Sequence, residues 1–159
     1  MDRTITMRIL ACAAMCALAA GVACGGGAPP KPTPTQATLV VAGDANPGPG
    51  GPAPVVVRLY QLKEEGAFND AGYPALMDKE QEALGPSLVA REEYEPKPGD
   101  NRTLELKLPS EVHYLGVVAF YRDINNAKWK ALLPVGGAHD TRKMTISVGK
   151  SEITIAAGK

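Results

Sequence analysis

Beyond residue 24 the sequence contains no cysteine: Cys12, Cys16 and Cys24 all fall within the first two dozen of its 159 positions. A disulfide framework and a thiolate zinc site are therefore excluded from the remainder, and any fold there must rest on packing. Histidine is scarce, with two residues, and aromatics make up only 5% of the chain. Neither sign of charge dominates, since 17 basic residues balance 17 acidic ones. That balance removes the basic surplus that polyanion binding requires, so no nucleic-acid partner is expected. Nor does any apolar run reach the ~20 residues that a membrane-spanning helix needs. The longest, Ile9 to Ala23, is about 15 residues.

That run instead has the order of a secretory leader. Arg3 and Arg8 precede it, and it ends in Gly21-Val22-Ala23-Cys24. Met7-Arg8 offers a second, more compact start to the same leader. A small residue before Cys24 and three glycines after it resemble a lipobox, in which the cysteine is acylated and becomes the mature N-terminus. Gly25 in place of aspartate resembles lipoproteins sent on to the outer membrane. The segment from Gly25 to Thr35 is dominated by glycine and proline and has nothing to bury, so it reads as an extended tether. The resulting division is a signal peptide over 1–23, a lipidated cysteine and tether over 24–35, and one periplasmic domain over 36–159.

Within that domain, short β-branched and apolar segments recur between turn signals, the pattern of an all-β sandwich. Eight strands are expected. They are Ala37 to Ala42, Val55 to Leu62, Ser87 to Glu95, Thr103 to Leu108, Val112 to Arg122, Trp129 to Val135, Met144 to Val148, and Glu152 to Ile155. Leu104, Leu106 and Leu108 alternate with polar residues, which marks a half-buried strand. The fifth segment is apolar on both faces and reads as central, with Gly116 marking a bulge or a close approach. Gly149-Lys150 is expected as the turn of a C-terminal hairpin. Between Phe68 and Gly85 the period changes, with Leu76, Met77, Glu80, Ala83 and Leu84 at helical spacing. An inserted helix is expected there, its apolar stripe facing the core.

Catalytic chemistry finds little support. Ser110 or Ser147 with His113 or His139 and Asp140 would supply the residue types of a triad, but no nucleophile-elbow or oxyanion motif surrounds them. His139-Asp140 offers two metal ligands at most, and its surroundings read as a solvated turn. Glu92 and Glu93 project to opposite strand faces and cannot share a proton. Arg58 is expected to point outward from its strand, the alternative being a buried ion pair. Trp129 is assigned to the core, with an interface as the alternative.

One ordered series of residues goes further. Asn46-Pro47, Gly51-Pro52-Ala53-Pro54, Val55-Val56-Val57-Arg58-Leu59-Tyr60-Gln61-Leu62, Phe68, the helix around Leu76, Pro98-Gly99, Tyr114 through Asp123, and Trp129 follow one another along nearly the whole mature chain. The series resembles the TssJ family, the outer-membrane lipoprotein of the bacterial type VI secretion system. The resemblance implies an eight-stranded transthyretin-like β-sandwich with a short helical insertion. It implies a structural rather than enzymatic role, no cofactor apart from the covalent lipid on Cys24, and no small-molecule substrate. The implied partner is the periplasmic C-terminal domain of the inner-membrane protein TssM. In the family the loop between the first two strands contributes to that contact. Here it runs from Gly43 to Ala53, making Gly43, Asp44, Asn46, Pro47, Gly48, Gly51 and Pro52 the candidate partner-binding residues. The loop carries no aromatic or arginine anchor of its own, and the Gly136 to Thr141 turn is the next candidate. A periplasmic ligand-binding sandwich is the rival reading, and a cryptic hydrolase the third.

Overall fold

The computed structural model describes residues 34–158; the leader, Cys24 and the tether through Thr33 lie outside them, as does the side chain of His139. Eight strands form two four-stranded sheets. The first sheet has the order β4-β1-β7-β8, with β1 over Pro34–Val41, β4 over Asn101–Lys107, β7 over Met144–Val148 and β8 over Ile153–Ala157. The second has the order β3-β2-β5-β6, with β2 over Val57–Leu62, β3 over Leu88–Tyr94, β5 over Tyr114–Ala119 and β6 over Lys130–Pro134. All neighbours are antiparallel except β1 and β7, which run parallel.

The leucine alternation is realised in β4, where Leu104 and Leu106 turn inward while Thr103, Glu105 and Lys107 are exposed. They meet Leu39, Leu59, Leu115, Val117 and Ile146 in the core between the sheets. A second apolar layer explains why β5 is apolar on both faces. Its outer side, with that of β2, is covered by the helical insertion, and Tyr60, Leu62 and Val118 pack there against Phe68, Leu76 and Leu84. Gly116 marks a close approach and not a bulge. A Cβ at this position would lie 2.7 Å from the Phe68 ring, and the β2–β5 register runs unbroken through it.

Several expectations change in detail. β1 begins at Pro34, so Pro34 and Thr35 belong to the sandwich and not to the tether. The single expected helix is three short ones: α1 over Gly66–Asp70, α2 over Tyr73–Asp78 and α3 over Glu80–Leu84. Arg58 supplies the reason for the second break. Its Nη1 donates to the carbonyls of Leu76 at 2.7 Å and Met77 at 3.0 Å. A continuous helix would offer those acceptors to the amides of Glu80 and Gln81. Arg58 is thus the buried ion-pair partner and not an outward strand residue, with its side chain only 16% exposed. The C-terminal turn is shifted by one residue. Val148 pairs with Ile153, and the Gly149 amide donates to the Glu152 carbonyl at 2.7 Å, leaving Lys150-Ser151 at the tip.

The Gly136 to Thr141 turn is not a solvated loop. Asp140 is 5% exposed. Its carboxylate accepts from the amides of Gly136 (3.0 Å) and Arg142 (3.1 Å) and from the Arg142 guanidinium (2.7 Å). The guanidinium first, and the two amides, hold the carboxyl well down, at about 2. Because the folded value lies below the ordinary 3.8, this stabilisation is complete above that value and is lost as pH falls through about 2. Asp140→Asn should therefore cost on the order of 2 kcal/mol at neutral pH, and its deficit should shrink toward pH 3. Urea midpoints of parent and variant at pH 7 and pH 3 check this; a gap that does not narrow would reject the assignment.

Candidate functional site

The connections divide cleanly between the two ends of the sandwich. At the end where β1 begins lie the β4–β5 and β6–β7 connections and the end of β8. At the opposite end the β1–β2, β3–β4, β5–β6 and β7–β8 loops gather. Backbone bonds join them there: Gly99 to the Val41 carbonyl at 3.1 Å, Ala42 to Val148 at 2.8 Å, Asn46 to Lys150 at 3.1 Å and Lys128 to Ser151 at 2.9 Å. The candidate residues Gly43 to Pro52 fall at this second end. The alternative candidate, Gly136 to Thr141, falls at the first.

Glycine and proline give the β1–β2 loop no apolar payload, yet it is well fixed. Asn46, 4% exposed, is the pivot. It takes a positive φ of 50°, which asparagine tolerates better than most side chains. Its Nδ2 donates to the Pro54 carbonyl at 2.8 Å, and its Oδ1 accepts the Arg122 amide at 2.9 Å from the β5–β6 loop. Ala45 and Ala53 are buried beside it and are joined by a 3.2 Å backbone bond. From this base Gly48 and Gly51 exchange two backbone hydrogen bonds of 2.9 Å, raising a small hairpin with Pro49-Gly50 at its tip. The candidates thus separate into two kinds. Asn46 holds the loop in shape, whereas Gly43, Asp44, Pro47 and Pro52 are exposed and Gly48 and Gly51 partly so.

Sequence reasoning missed what surrounds this hairpin. The Arg122 guanidinium lies directly over Gly48, where a Cβ would meet Nη1 at 2.3 Å. The arginine that the loop lacks is therefore supplied by its neighbour. Asp123, Asn126, Lys150 and Ser151 complete the rim with Asn46, Pro47 and Tyr121, around a cleft of about 150 Å³. That is well below the ~300–1,000 Å³ of ligand pockets. The Tyr121 hydroxyl donates to the Gly149 carbonyl at 3.2 Å, tying the β5–β6 loop to the β7–β8 turn. Only the position of Arg122 as the last residue of the long fifth segment hinted at this placement.

The other singled-out residues do not converge on a reaction. Ser110 and His113 are exposed in the β4–β5 connection, Ser147 lies within β7, and the Asp140 carboxylate is occupied by Arg142 and Gly136. Among the described residues no three His, Cys, Asp or Glu side chains come together as a metal site. Glu92 and Glu93 do point apart, the first bonded by the Tyr94 hydroxyl and the second by Arg58 and Arg91. Trp129 is half-buried, and Tyr73 packs edge-on against both it and Phe120, with ring centroids 5.4 Å apart in each pair.

The described residues define a two-sheet β-sandwich whose ordered loops collect at the end remote from Pro34. Comparison with known proteins makes the class specific. Residues 33–151 match the family model "Type VI secretion lipoprotein, VasD, EvfM, TssJ, VC_A0113", and the chain belongs to that family. The type VI lipoprotein TssJ1 of Pseudomonas aeruginosa is 38% identical with a TM-score of 0.74, over 80% of this chain and 98% of that one. Serratia marcescens Lip, described as a membrane-bound component of the type VI secretion system, shares the fold at 23% identity and a TM-score of 0.71, over 80% and 97%. A chain in a structure described as the TssM C-terminal domain (869-1107) from EAEC also has this fold, at 23% identity and a TM-score of 0.65, over 77% and 97%. No curated protein sequence matched. Family membership makes this chain a structural lipoprotein component of type VI secretion and not an enzyme.

Proposed function

We propose that the protein is held to the periplasmic face of the outer membrane by lipid on Cys24, and that it binds the periplasmic C-terminal domain of a TssM-like inner-membrane protein through its β1–β2 loop. The observation that carries this reading is the polarity of the sandwich. The chain comes from the tether into β1 at Pro34, at the end opposite the Pro49-Gly50 hairpin. An anchor upstream of Pro34 thus leaves the hairpin and its Arg122 rim facing away from the membrane, toward a partner rooted in the other one. The occurrence of this fold in a structure described by the TssM C-terminal domain supports the same partner.

The loop can be tested without harming its base. Replacing Gly48–Gly51 by a Gly-Ser pair removes the hairpin and leaves Asn46, Ala45 and Ala53 in place, so the variant should melt with the parent. Its dissociation constant for the partner's periplasmic domain should rise at least about tenfold, or roughly 1.4 kcal/mol. A well-folded variant that binds with unchanged affinity would remove the loop from the interface.

The anchor is tested separately. Cys24→Ser should abolish palmitate incorporation and move the protein from the outer-membrane fraction to the soluble periplasm, because the several acyl chains carried by that one residue are its hold on the bilayer. The domain should stay folded, since every described core residue lies downstream of the tether. Retention of the variant in the outer-membrane fraction would refute lipid anchoring through this residue.

A further inference from the structure

We infer that β1 is a load-bearing strand, along whose covalent backbone tension between the lipid anchor and the partner would pass without crossing a strand ladder. This rests on the proposed reading, in which the anchor lies upstream of Pro34 and the partner binds the β1–β2 loop. The tether joins the N-terminus of β1 directly, and the loop leaves its C-terminus directly after Val41. Anchor and binding hairpin are therefore the two ends of one strand. β1 is also the only strand of its sheet that leads from the tether, and it is internal, flanked by β4 and β7.

A strand in this position is already nearly taut. Extended backbone in a sheet rises about 3.3 Å per residue against a limit of about 3.6 Å, so tension along β1 lengthens it by no more than about a tenth. A sideways pull on Pro34 meets resistance on both sides. The antiparallel pairing with β4 begins at Pro34↔Lys107 and runs to Val40↔Asn101, and the parallel pairing with β7 runs from Ala37↔Met144 to Val41↔Val148. Side bonds close each end of the strand. The Thr35 hydroxyl donates to the Asp140 carbonyl near its start, and Val41 donates to the Asp100 carbonyl at 2.9 Å and Ala42 to the Val148 carbonyl at 2.8 Å near its finish.

A partner gripping any other loop at the far end would load the domain differently. From the β7–β8 turn the force would have to cross the β1–β7 ladder in shear. From the β5–β6 loop it would have to cross between the two sheets, through the apolar core and the few hydrogen bonds that Tyr121, Arg122 and Lys128 make to Gly149, Asn46 and Ser151. Attachment at the end of β8 lies at the same end of the sandwich as Pro34, but it places the β1–β7 and β7–β8 ladders in series with the load.

The arrangement can be read by single-molecule pulling on the unlipidated mature chain, whose one cysteine, Cys24, is itself a natural handle. One preparation carries a second handle at Gly50→Cys, where a side chain meets open space, and the other at Lys159→Cys. A donor and acceptor placed at the exposed Lys107 and Asp123 by amber suppression report whether the sandwich is intact. At a force that unfolds the Cys24/Lys159→Cys molecule within seconds, the Cys24/Gly50→Cys molecule should keep its native transfer efficiency at least about tenfold longer. Its only early extension should be the short length of the β1–β2 loop. Equal lifetimes for the two geometries would overturn the inference. No partner is present in this measurement, so a failure of the proposed interface is distinguishable. It would appear as unchanged partner affinity in the hairpin-replacement variant, and would overturn the assignment by removing the point at which load enters.

Discussion

Leu106→Ala is expected to destabilise the domain by about 2 to 5 kcal/mol, the range for truncating a fully buried leucine where the surroundings cannot collapse. Leu106 has no exposed surface, and it sits opposite Thr35 in the β1–β4 pair, inside the core that joins the two sheets. Neighbours on both sheets would border the cavity, which limits relaxation. Thr103→Ala, three residues earlier on the exposed face of the same strand, should change stability by no more than about 0.5 kcal/mol. Urea unfolding of the two variants beside the parent is the measurement. Equal midpoints for Leu106→Ala and Thr103→Ala would reject the strand register.

Arg58→Met should cost about 3 kcal/mol, because it takes one charged donor from each of two carboxylates, which Arg91 and Tyr60 only partly replace, and leaves two helix carbonyls without their guanidinium donor. Arg58 donates from Nε to Glu93 at 2.7 Å and from Nη1 to Glu80 at 2.8 Å, besides the Leu76 and Met77 carbonyls. Its guanidinium carbon also lies 4.7 Å from the centre of the Phe120 ring. Glu80, 12% exposed, is bonded in addition by the Tyr60 hydroxyl and by Arg91. Arg58→Lys should recover little, since a single ammonium cannot reach Glu93 and the helix carbonyls in the divergent directions of a planar fork. In a double-mutant cycle, Arg58→Met with Glu80→Leu should lose less than the two single changes added together. An Arg58→Met variant within about 0.5 kcal/mol of the parent would show that the cluster contributes nothing net.

The two-sheet architecture was legible because its signal is local. Alternation in Thr103 to Leu108, a run apolar on both faces from Tyr114, and turn residues between them each follow from the two-residue period of a strand. The helical insertion was legible as apolar spacing, and its burial followed from the fact that Leu76 and Leu84 have no other place to go. Its division into three helices was not legible. The break at Lys79 depends on a guanidinium reached from 21 positions upstream in sequence, and nothing in residues 68–85 announces it. Asp140 misled for a related reason: between glycines and a threonine it has the composition of a solvated turn, and only folding brings Gly136, Arg142 and Thr35 around it.

The end that carries the β1–β2 loop shows the same division. The sequence by itself determined that the β1–β2 loop is rich in glycine and proline, that no cysteine follows Cys24, and that a stretch dominated by glycine and proline separates Cys24 from the first strand. These are statements about composition and near neighbours, and short-range sterics and chemistry suffice to make them. Tertiary structure alone decided that Asn46 is the buried pivot of its loop, because its partners, Pro54 and Arg122, lie eight and 76 positions away. It also decided that Arg122 covers Gly48 and that the hairpin stands at the far end of the very strand the tether joins. Such relations are fixed by strand pairing between distant segments, whose register is set by the whole core at once and by no stretch of sequence read alone.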